Sequence, residues 1–432
     1  APAPFRCLTY GKDNQATPHP AEFCFLRCAE TNRVYSPTRL PLGRAQDCEA
    51  TFGAGWGSFG AEADGLAMQL LVFTDAESPV GCRLLRVKNR TSQEQRLTLH
   101  VCARFLLSED ASDAPMVCLS APKQRITVTS PALSGIGFMT PFTETPTVSR
   151  ILPAALFYGV GDGLAFATND LPEEDYGHGE IGLLTTELRI PPRGTTEFGW
   201  LMGMARNADA IEEILAKWQE ESVSEQLLKV RRAWAAALDL VTCHVPDEAL
   251  ALMLNRWLPY QVRTGRLMPP PSGAAERFSD RLLDTYALAL TDPTLCRNVL
   301  LQHAARQYES GDVQTMLYSE LTGLRIRNSM ERLDLPVFTA LYIAQTDDTS
   351  LLDLQAPFLV DVPLPEGVDA MEQSPSRTAY TAPLSEHCLR ALRSIPHDVN
   401  GLPMEGTRES VYAAFLEAYA LRLFARFVEP SL

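Results

Sequence analysis

The repeat of apolar and polar positions changes once along this chain. Over roughly the first 200 residues the repeat is two. Leu97, Leu99, Val101, Ala103 and Phe105 alternate with Thr98, His100, Cys102 and Arg104, the period of a half-buried strand. Leu66, Met68, Leu70 and Val72 repeat it before the turn-rich Thr74-Asp75-Ala76-Glu77-Ser78-Pro79. Cys82 to Val87 reads as a further strand, closed by Lys88-Asn89-Arg90-Thr91-Ser92. Short strands separated by polar turns predict an antiparallel sandwich.

Near residue 206 the period lengthens. Asn207-Ala208-Asp209 precedes Ile211, Ile214, Leu215 and Trp218 at helical spacing, with Glu212 and Glu213 in the first turns. From Asp247 onward the chain reads as helices joined by short loops. Asp292-Pro293 punctuates the start of one helix, which carries Leu295, Val299 and Leu300 on one face. Tyr412, Leu416, Tyr419, Leu423 and Phe427 form another apolar stripe. The predicted division is residues 1–203 as the sandwich, 204–243 as a helical linker and 244–432 as a helical-hairpin block.

Composition narrows the function classes. Lys plus Arg is 38 against 53 Asp plus Glu, a formal charge of −15, which disfavours a binder of nucleic-acid phosphates. No apolar run approaches the ~18 residues of a membrane helix, so no span is expected in this segment. Among the ten cysteines, Cys24 and Cys28 are the closest pair and share one strand face. No second pair or His couplet answers them, so no metal is expected, and the thiols read as buried and reduced in a cytoplasmic protein. Ala1-Pro2-Ala3-Pro4 lacks an initiator Met and a signal core, and both ends read as cut from a longer chain. Asn89-Arg90-Thr91 is formally a glycosylation sequon.

Three polar clusters in the helical block can carry chemistry. Asp280 and Asp284 lie four apart and project from one helix face. Such a pair can act on a glycosidic bond, and is equally common as solvated decoration. Gly311-Asp312-Val313-Gln314 reads as a loop, followed by Arg325-Ile326-Arg327. Glu386-His387 sits on a helix running to Leu392. His303 reads as a hydrogen-bonded core histidine, and Trp56 and Trp257, which can stack on sugars, read as core. Gly53, Gly55, Gly57 and Gly60 lack the strand–turn–helix context of a nucleotide loop.

A set of segments resembles the inverting β-glycoside phosphorylases, a family that includes cellobiose and chitobiose phosphorylases, β-1,2-oligoglucan phosphorylases and the C-terminal domain of cyclic β-1,2-glucan synthases. Asp13-Asn14-Gln15-Ala16-Thr17-Pro18 and Val34-Tyr35-Ser36-Pro37-Thr38-Arg39-Leu40-Pro41 are similar to its opening strands. Phe52-Gly53-Ala54-Gly55-Trp56 and Leu85-Arg86-Val87-Lys88-Asn89-Arg90-Thr91 resemble its sandwich core. Pro246-Asp247-Glu248-Ala249-Leu250 and Leu254-Asn255-Arg256-Trp257-Leu258-Pro259-Tyr260-Gln261 resemble the first toroid helix. Gly311-Asp312-Val313-Gln314, Pro363-Leu364-Pro365-Glu366-Gly367 and Ser385-Glu386-His387-Cys388-Leu389-Arg390-Ala391-Leu392 follow in family order. The resemblance implies an α+β multidomain chain: an antiparallel super-β-sandwich, a helical linker and about half of a six-hairpin α/α toroid. It implies an Asp protonating the glycosidic oxygen while inorganic phosphate attacks the anomeric carbon.

The departures fall on the chemistry. The family's acid lies in a G-D-W-N-D-G-M loop, whereas here Gly401-Leu402-Pro403-Met404-Glu405-Gly406 runs through Thr407-Arg408 into Glu409-Ser410-Val411-Tyr412. The expected acid loop is missing between Gly406 and Glu409, so no catalytic residue is assigned; Glu405 is the one carboxylate before the helix. In the family's R-D-x-x-Q-D run, Arg has become Ser279 and Gln has become Leu283. Thr315-Met316-Leu317-Tyr318 replaces aromatic and histidine positions, and S-D-D reads Ser329-Met330-Glu331. The phosphate-binding segments of the family lie beyond this sequence.

The reading that follows is a carbohydrate-active or carbohydrate-binding module, catalytically impaired, with Asp280, Asp284, Asp312, Gln314 and Glu331 as sugar-binding candidates. Its expected partner is a β-glucan oligosaccharide, without cofactor, metal, nucleic acid or membrane. One alternative is an active phosphorylase seen as a fragment, with phosphate as co-substrate. The other is a scaffold that binds a protein partner or the remainder of a longer chain through apolar helix faces such as Tyr412, Leu416 and Leu423.

Overall fold

The computed structural model describes residues 21–39, 42, 48–105, 116–120, 125–129, 135–153, 179–239, 242–267, 276–318 and 321–427. The opening segment Asp13–Pro18 and the pair Leu40-Pro41 lie outside them. The chain divides into two compact units between Ala237 and Leu238.

The first unit is built on thirteen described strands. They are β1 (Glu22–Cys28), β2 (Val34–Tyr35), β3 (Cys48–Gly53), β4 (Trp56–Ala63), β5 (Leu66–Thr74), β6 (Val80–Asn89) and β7 (Gln95–Arg104). Then come β8 (Met116–Ser120), β9 (Arg125–Thr129), β10 (Ile136–Pro141), β11 (Thr147–Leu152), β12 (Ile181–Ile190) and β13 (Thr195–Ala205). A five-stranded sheet runs β11-β12-β7-β1-β2 and an eight-stranded sheet runs β3-β4-β5-β6-β13-β10-β9-β8. Neighbouring strands are antiparallel in both. Leu26, Leu99 and Leu184 from one sheet meet Leu85, Met139 and Trp200 from the other in a shared core. Burial of such faces, at about 25 cal/mol per Å² of apolar surface, is what holds two sheets together.

Strand β7 departs from the half-buried pattern its sequence suggests. It lies inside its sheet, and His100 and Cys102 on its second face are buried too. The His100 ring stacks on Phe25 at 4.8 Å, and burial drives its imidazole down to about 3. The sequon is equally unavailable: the Asn89 amide is buried and donates to Gln93 O, Ile190 O and Pro191 O. The glycine-rich segment is the β3–β4 hairpin. Gly55 has φ +78°, and a Cβ there would meet Trp234 Nε1 at 2.1 Å. Cys24 and Cys28 are buried free thiols.

Within the predicted linker the described residues form helices α1 (Ala208–Glu220) and α2 (Val223–Leu238). Asn207 caps α1 by accepting from Ala210 N. Ile211, Trp218 and Val230 pack with Phe73, Val80, Phe138 and Leu201 on the second face of the eight-stranded sheet.

The second unit contains α3 (Glu248–Leu252), a π-helical turn (Met253–Trp257), α4 (Leu258–Leu267), α5 (Phe278–Tyr286) and α6 (Pro293–Ala304). It continues with α7 (Asp334–Thr346), α8 (Leu384–Arg393) and α9 (Val411–Phe424). Asp292 caps α6 with Pro293 at its start, as the sequence predicts. The unit is not helix alone. Short strands β14 (Glu276–Arg277), β15 (Met316–Leu317), β16 (Gly323–Ile326) and β18 (Ala370–Gln373) form one sheet. The ribbons β17 (Gln355–Leu359) with β19 (Arg377–Pro383), and β20 (Met404–Glu405) with β21 (Arg408–Glu409), complete it. Runs this short are below the length at which a two-residue period is legible.

Phe278, Leu282, Val299, Leu300, Leu335, Ile343, Cys388 and Phe424 form the helical unit's core. Two expectations change here. Trp257 is 49% exposed rather than core. The stripe on α9 is split: Leu416, Leu423 and Phe427 pack inward with Ala413, Ala420 and Phe424, while Tyr412 and Tyr419 face solvent. The small Ala413 and Ala420 allow close approach to the core, and this turns the helix away from the face that large side chains alone suggest.

Candidate functional site

The helical unit gathers its exposed polar chemistry where α5 and α7 begin. Strand β14 pairs with β15 in the register Arg277↔Met316, and Phe278 N donates to Thr315 O at 3.0 Å. The fully buried Phe278 ring, edge-on to His303 at 4.6 Å, anchors this corner. Arg277 and Ser279, on either side of the anchor, are thereby held outward. From the facing segment, a 3₁₀ turn (Met330–Leu333) runs into α7 and presents Glu331 and Asp334, three residues apart on one face.

The two edges are tied by direct bonds. Arg277 Nη2 donates to Glu331 Oε1 at 2.8 Å, and Ser279 Oγ donates to Asp334 Oδ2 at 2.6 Å. Ser329 Oγ donates to the other oxygen of Glu331. Burial pushes the Asp334 carboxyl up to about 7, with the negative charges of Glu331 and Asp280 adding to the rise. Ser279 and Arg277 oppose it. A carboxyl of this kind divides between donor and acceptor forms near neutrality. Tyr412 is 66% exposed; partial burial lifts its phenol above the usual range, and the negative charges of Asp334, Glu331 and Glu405 add to the rise.

The sequence candidates fall into two groups. Asp280 and Glu331 are brought together here, and Asp284 lies one turn further along α5, exposed. Asp312 and Gln314 lie in a separate buried network. Asp312 takes Arg325 Nε at 2.9 Å and Arg332 Nη2 at 2.8 Å, and Arg325 reaches Asp361 at 2.7 Å and sits over the Tyr308 ring at 4.1 Å. Gln314 donates to Leu321 O at 2.8 Å and accepts from Arg306 at 3.1 Å. Both side chains are committed to the protein, with 6% and 0% exposure. Glu386 pairs with Arg390 at 2.8 Å, one helical turn on. His387 is buried between Gln307 Oε1 at 2.9 Å and Ala356 O at 3.1 Å. His303 bonds Val299 O at 2.9 Å and is the core histidine expected.

Asp334 and Arg277 escaped the sequence reading. The signal was a second acid three residues after Glu331, at the opening of an apolar helix.

The segment from Met404 to Glu409, where the sequence reading looked for an acid loop, forms the β20–β21 hairpin. Glu405 pairs with Arg408 across a turn at Gly406-Thr407, with Gly406 at φ +61°. Gly406 O accepts from Asn328 Nδ2 at 2.7 Å, which fastens the hairpin to the segment that carries Glu331. Glu405 accepts from Ser410 Oγ at 2.9 Å. Among the described residues no group of three or more His, Cys, Asp or Glu is placed to hold a metal, and no helix is long and apolar enough to cross a membrane.

The glycosyl hydrolase 94 supersandwich domain matches residues 4–129. The chain is 25% identical over 429 residues to the cyclic β-(1,2)-glucan synthase NdvB of Rhizobium meliloti (strain 1021), covering 93% of this chain and 15% of that protein. It is 21% identical over 442 residues to the solabiose phosphorylase of Paenibacillus borealis, covering 92% of this chain and 53% of that one. A solved structure described as a kojibiose phosphorylase from the human microbiome superposes with a TM-score of 0.58 at 8% identity, over 94% of this chain and 55% of its own. The chain therefore spans about half or less of the relatives it matches. The shared fold is a β-supersandwich followed by a helical region of the α/α-toroid type.

Proposed function

This chain is a relative of the glycosyl hydrolase 94 phosphorylases and the cyclic β-(1,2)-glucan synthases, and we propose that its helical unit binds a glucose oligosaccharide without cleaving it. The relatives are named for a cyclic β-(1,2)-glucan, solabiose and kojibiose, which supports a glucose-based ligand. The observation that supports the reading is the grouping of Arg277, Asp280, Glu331 and Asp334 near a tight hairpin at Gly406-Thr407, a turn too short to carry the acid loop that the resemblance implies. Carboxylates accept from sugar hydroxyls and a guanidinium donates to them, each bond contributing about 1 kcal/mol or somewhat more. The exposed Tyr412 ring offers an apolar face for the sugar's C–H groups.

A second reading, inverting phosphorolysis with inorganic phosphate, is favoured by the proton that Asp334 retains near pH 7. One experiment separates the two. Titration calorimetry with a panel of β-linked gluco-oligosaccharides is expected to detect binding that Glu331→Gln weakens about tenfold. Adding inorganic phosphate is expected to release no sugar 1-phosphate. Phosphate-dependent release would establish the enzyme, and absence of binding across the panel would exclude the module.

A further inference from the structure

Phe278 anchors the corner where α5 leaves the short sheet, and two polar atoms are buried beside it. Among the described residues, His303 Nε2 and Thr315 Oγ1 have no hydrogen-bond partner, although their residues are only 3% and 2% exposed. Both belong to the surroundings of one ring. The register Arg277↔Met316, continued by the bond from Phe278 N to Thr315 O at 3.0 Å, sets Thr315 opposite Phe278. Residues directly opposite in an antiparallel ladder project from the same face, with Cβ atoms about 5 Å apart. The His303 ring meets that same Phe278 ring at 4.6 Å.

The protons on the imidazole define what can bind there. His303 Nδ1 lies 2.9 Å from Val299 O, which only accepts, so Nδ1 carries the hydrogen. Burial keeps the ring neutral, and the charges of Arg281 and Arg306 act in the same direction. Nε2 is therefore an acceptor, and the adjoining Phe278 carbonyl, itself an acceptor, cannot satisfy it. The group required donates twice, to Nε2 and to the Phe278 carbonyl, and accepts once, from the Thr315 hydroxyl. A bare anion cannot donate and an ammonium cannot accept. Water does both, and about three bonds is usual for a buried water. We infer that one buried water molecule is bound between His303 Nε2, Thr315 Oγ1 and the Phe278 carbonyl. It joins α5, α6 and the approach to β15, and so pins the corner from which Arg277 and Ser279 project. This inference is independent of the oligosaccharide proposed above.

A high-resolution crystal structure of the 432-residue chain, with nitrogen-15 spectra of its histidines, tests it. The expected result is one ordered water within hydrogen-bond distance of all three atoms, and an Nδ1–H tautomer whose Nε2 accepts a hydrogen bond. Thr315→Val removes the hydroxyl, and His303→Asn keeps a donor toward Val299 O while removing Nε2. Each should lower the melting temperature by about 2–4 °C or more. Together they should lower it by less than the sum of the two, because both report one bridge. A dry site, a protein group bonded to Nε2, an Nε2–H tautomer or additive losses would overturn the inference. The structure and spectrum of the unaltered chain decide the matter even where a variant does not fold.

Discussion

Asp334 couples the candidate site to pH. Its carboxyl titrates near 7 in the fold against 3.8 for the free side chain, so the folded state favours the protonated form. The stability tied to this group is complete below about pH 4 and is lost as pH rises through 7. Asp334→Asn keeps an acceptor for Ser279 and removes the charge. It should stabilise the protein at pH 8 by on the order of 1–3 kcal/mol, allowing for partial solvent screening, and by much less at pH 4. Urea unfolding at the two pH values checks this; equal effects at both would show that Asp334 is an ordinary carboxylate. The same residue marks a limit of sequence reading. Asp280 and Glu331 were legible because they stand in family segments. Asp334 was hidden in the opening turn of an apolar helix, and its burial comes from chain segments distant in sequence.

At the scale of elements, the stretch from Tyr308 to Arg332 is held by Asp312, one carboxylate facing two buried guanidiniums. Asp312→Ala should cost about 3–5 kcal/mol, because Arg332 would lose the carboxylate it pairs with while buried, and Arg325 would keep only Asp361. Thermal unfolding in low and high salt measures it, and a loss abolished by salt would mean the pair is solvated. Asp312 and Gln314 were readable as a polar loop motif, and whether they face a ligand or the interior was not. The alternation that revealed the strands of the sandwich likewise gave β7 a wet face, since period reports which side chains alternate and says nothing of what covers the second side. Helix α9 shows the same limit, its inner face being chosen by two alanines.

Across the whole molecule, three buried histidines act against Asp334. Burial drives His100 and His303 down to about 3 and His387 to about 4. A folded value below the ordinary 6.5 means the stability they support is complete above about pH 6.5 and lost as pH falls toward 4. Calorimetric melting temperatures should therefore fall steeply between pH 6.5 and 4.5, and a flat profile over that interval would contradict neutral, buried rings.

The sequence by itself determined the order of the chain: a region of period two, then helices, with family segments in sequence along both. Those features are local, set by side-chain spacing and by caps such as Asn207 and Asp292, and need no tertiary partner to be read. Tertiary structure decided which polar residues meet. Arg277 and Glu331 are 54 positions apart and Ser279 and Asp334 are 55 apart, and each pair closes within 3 Å. Only packing around Phe278 brings those segments together and excludes the water that would otherwise return Asp334 to an ordinary acid.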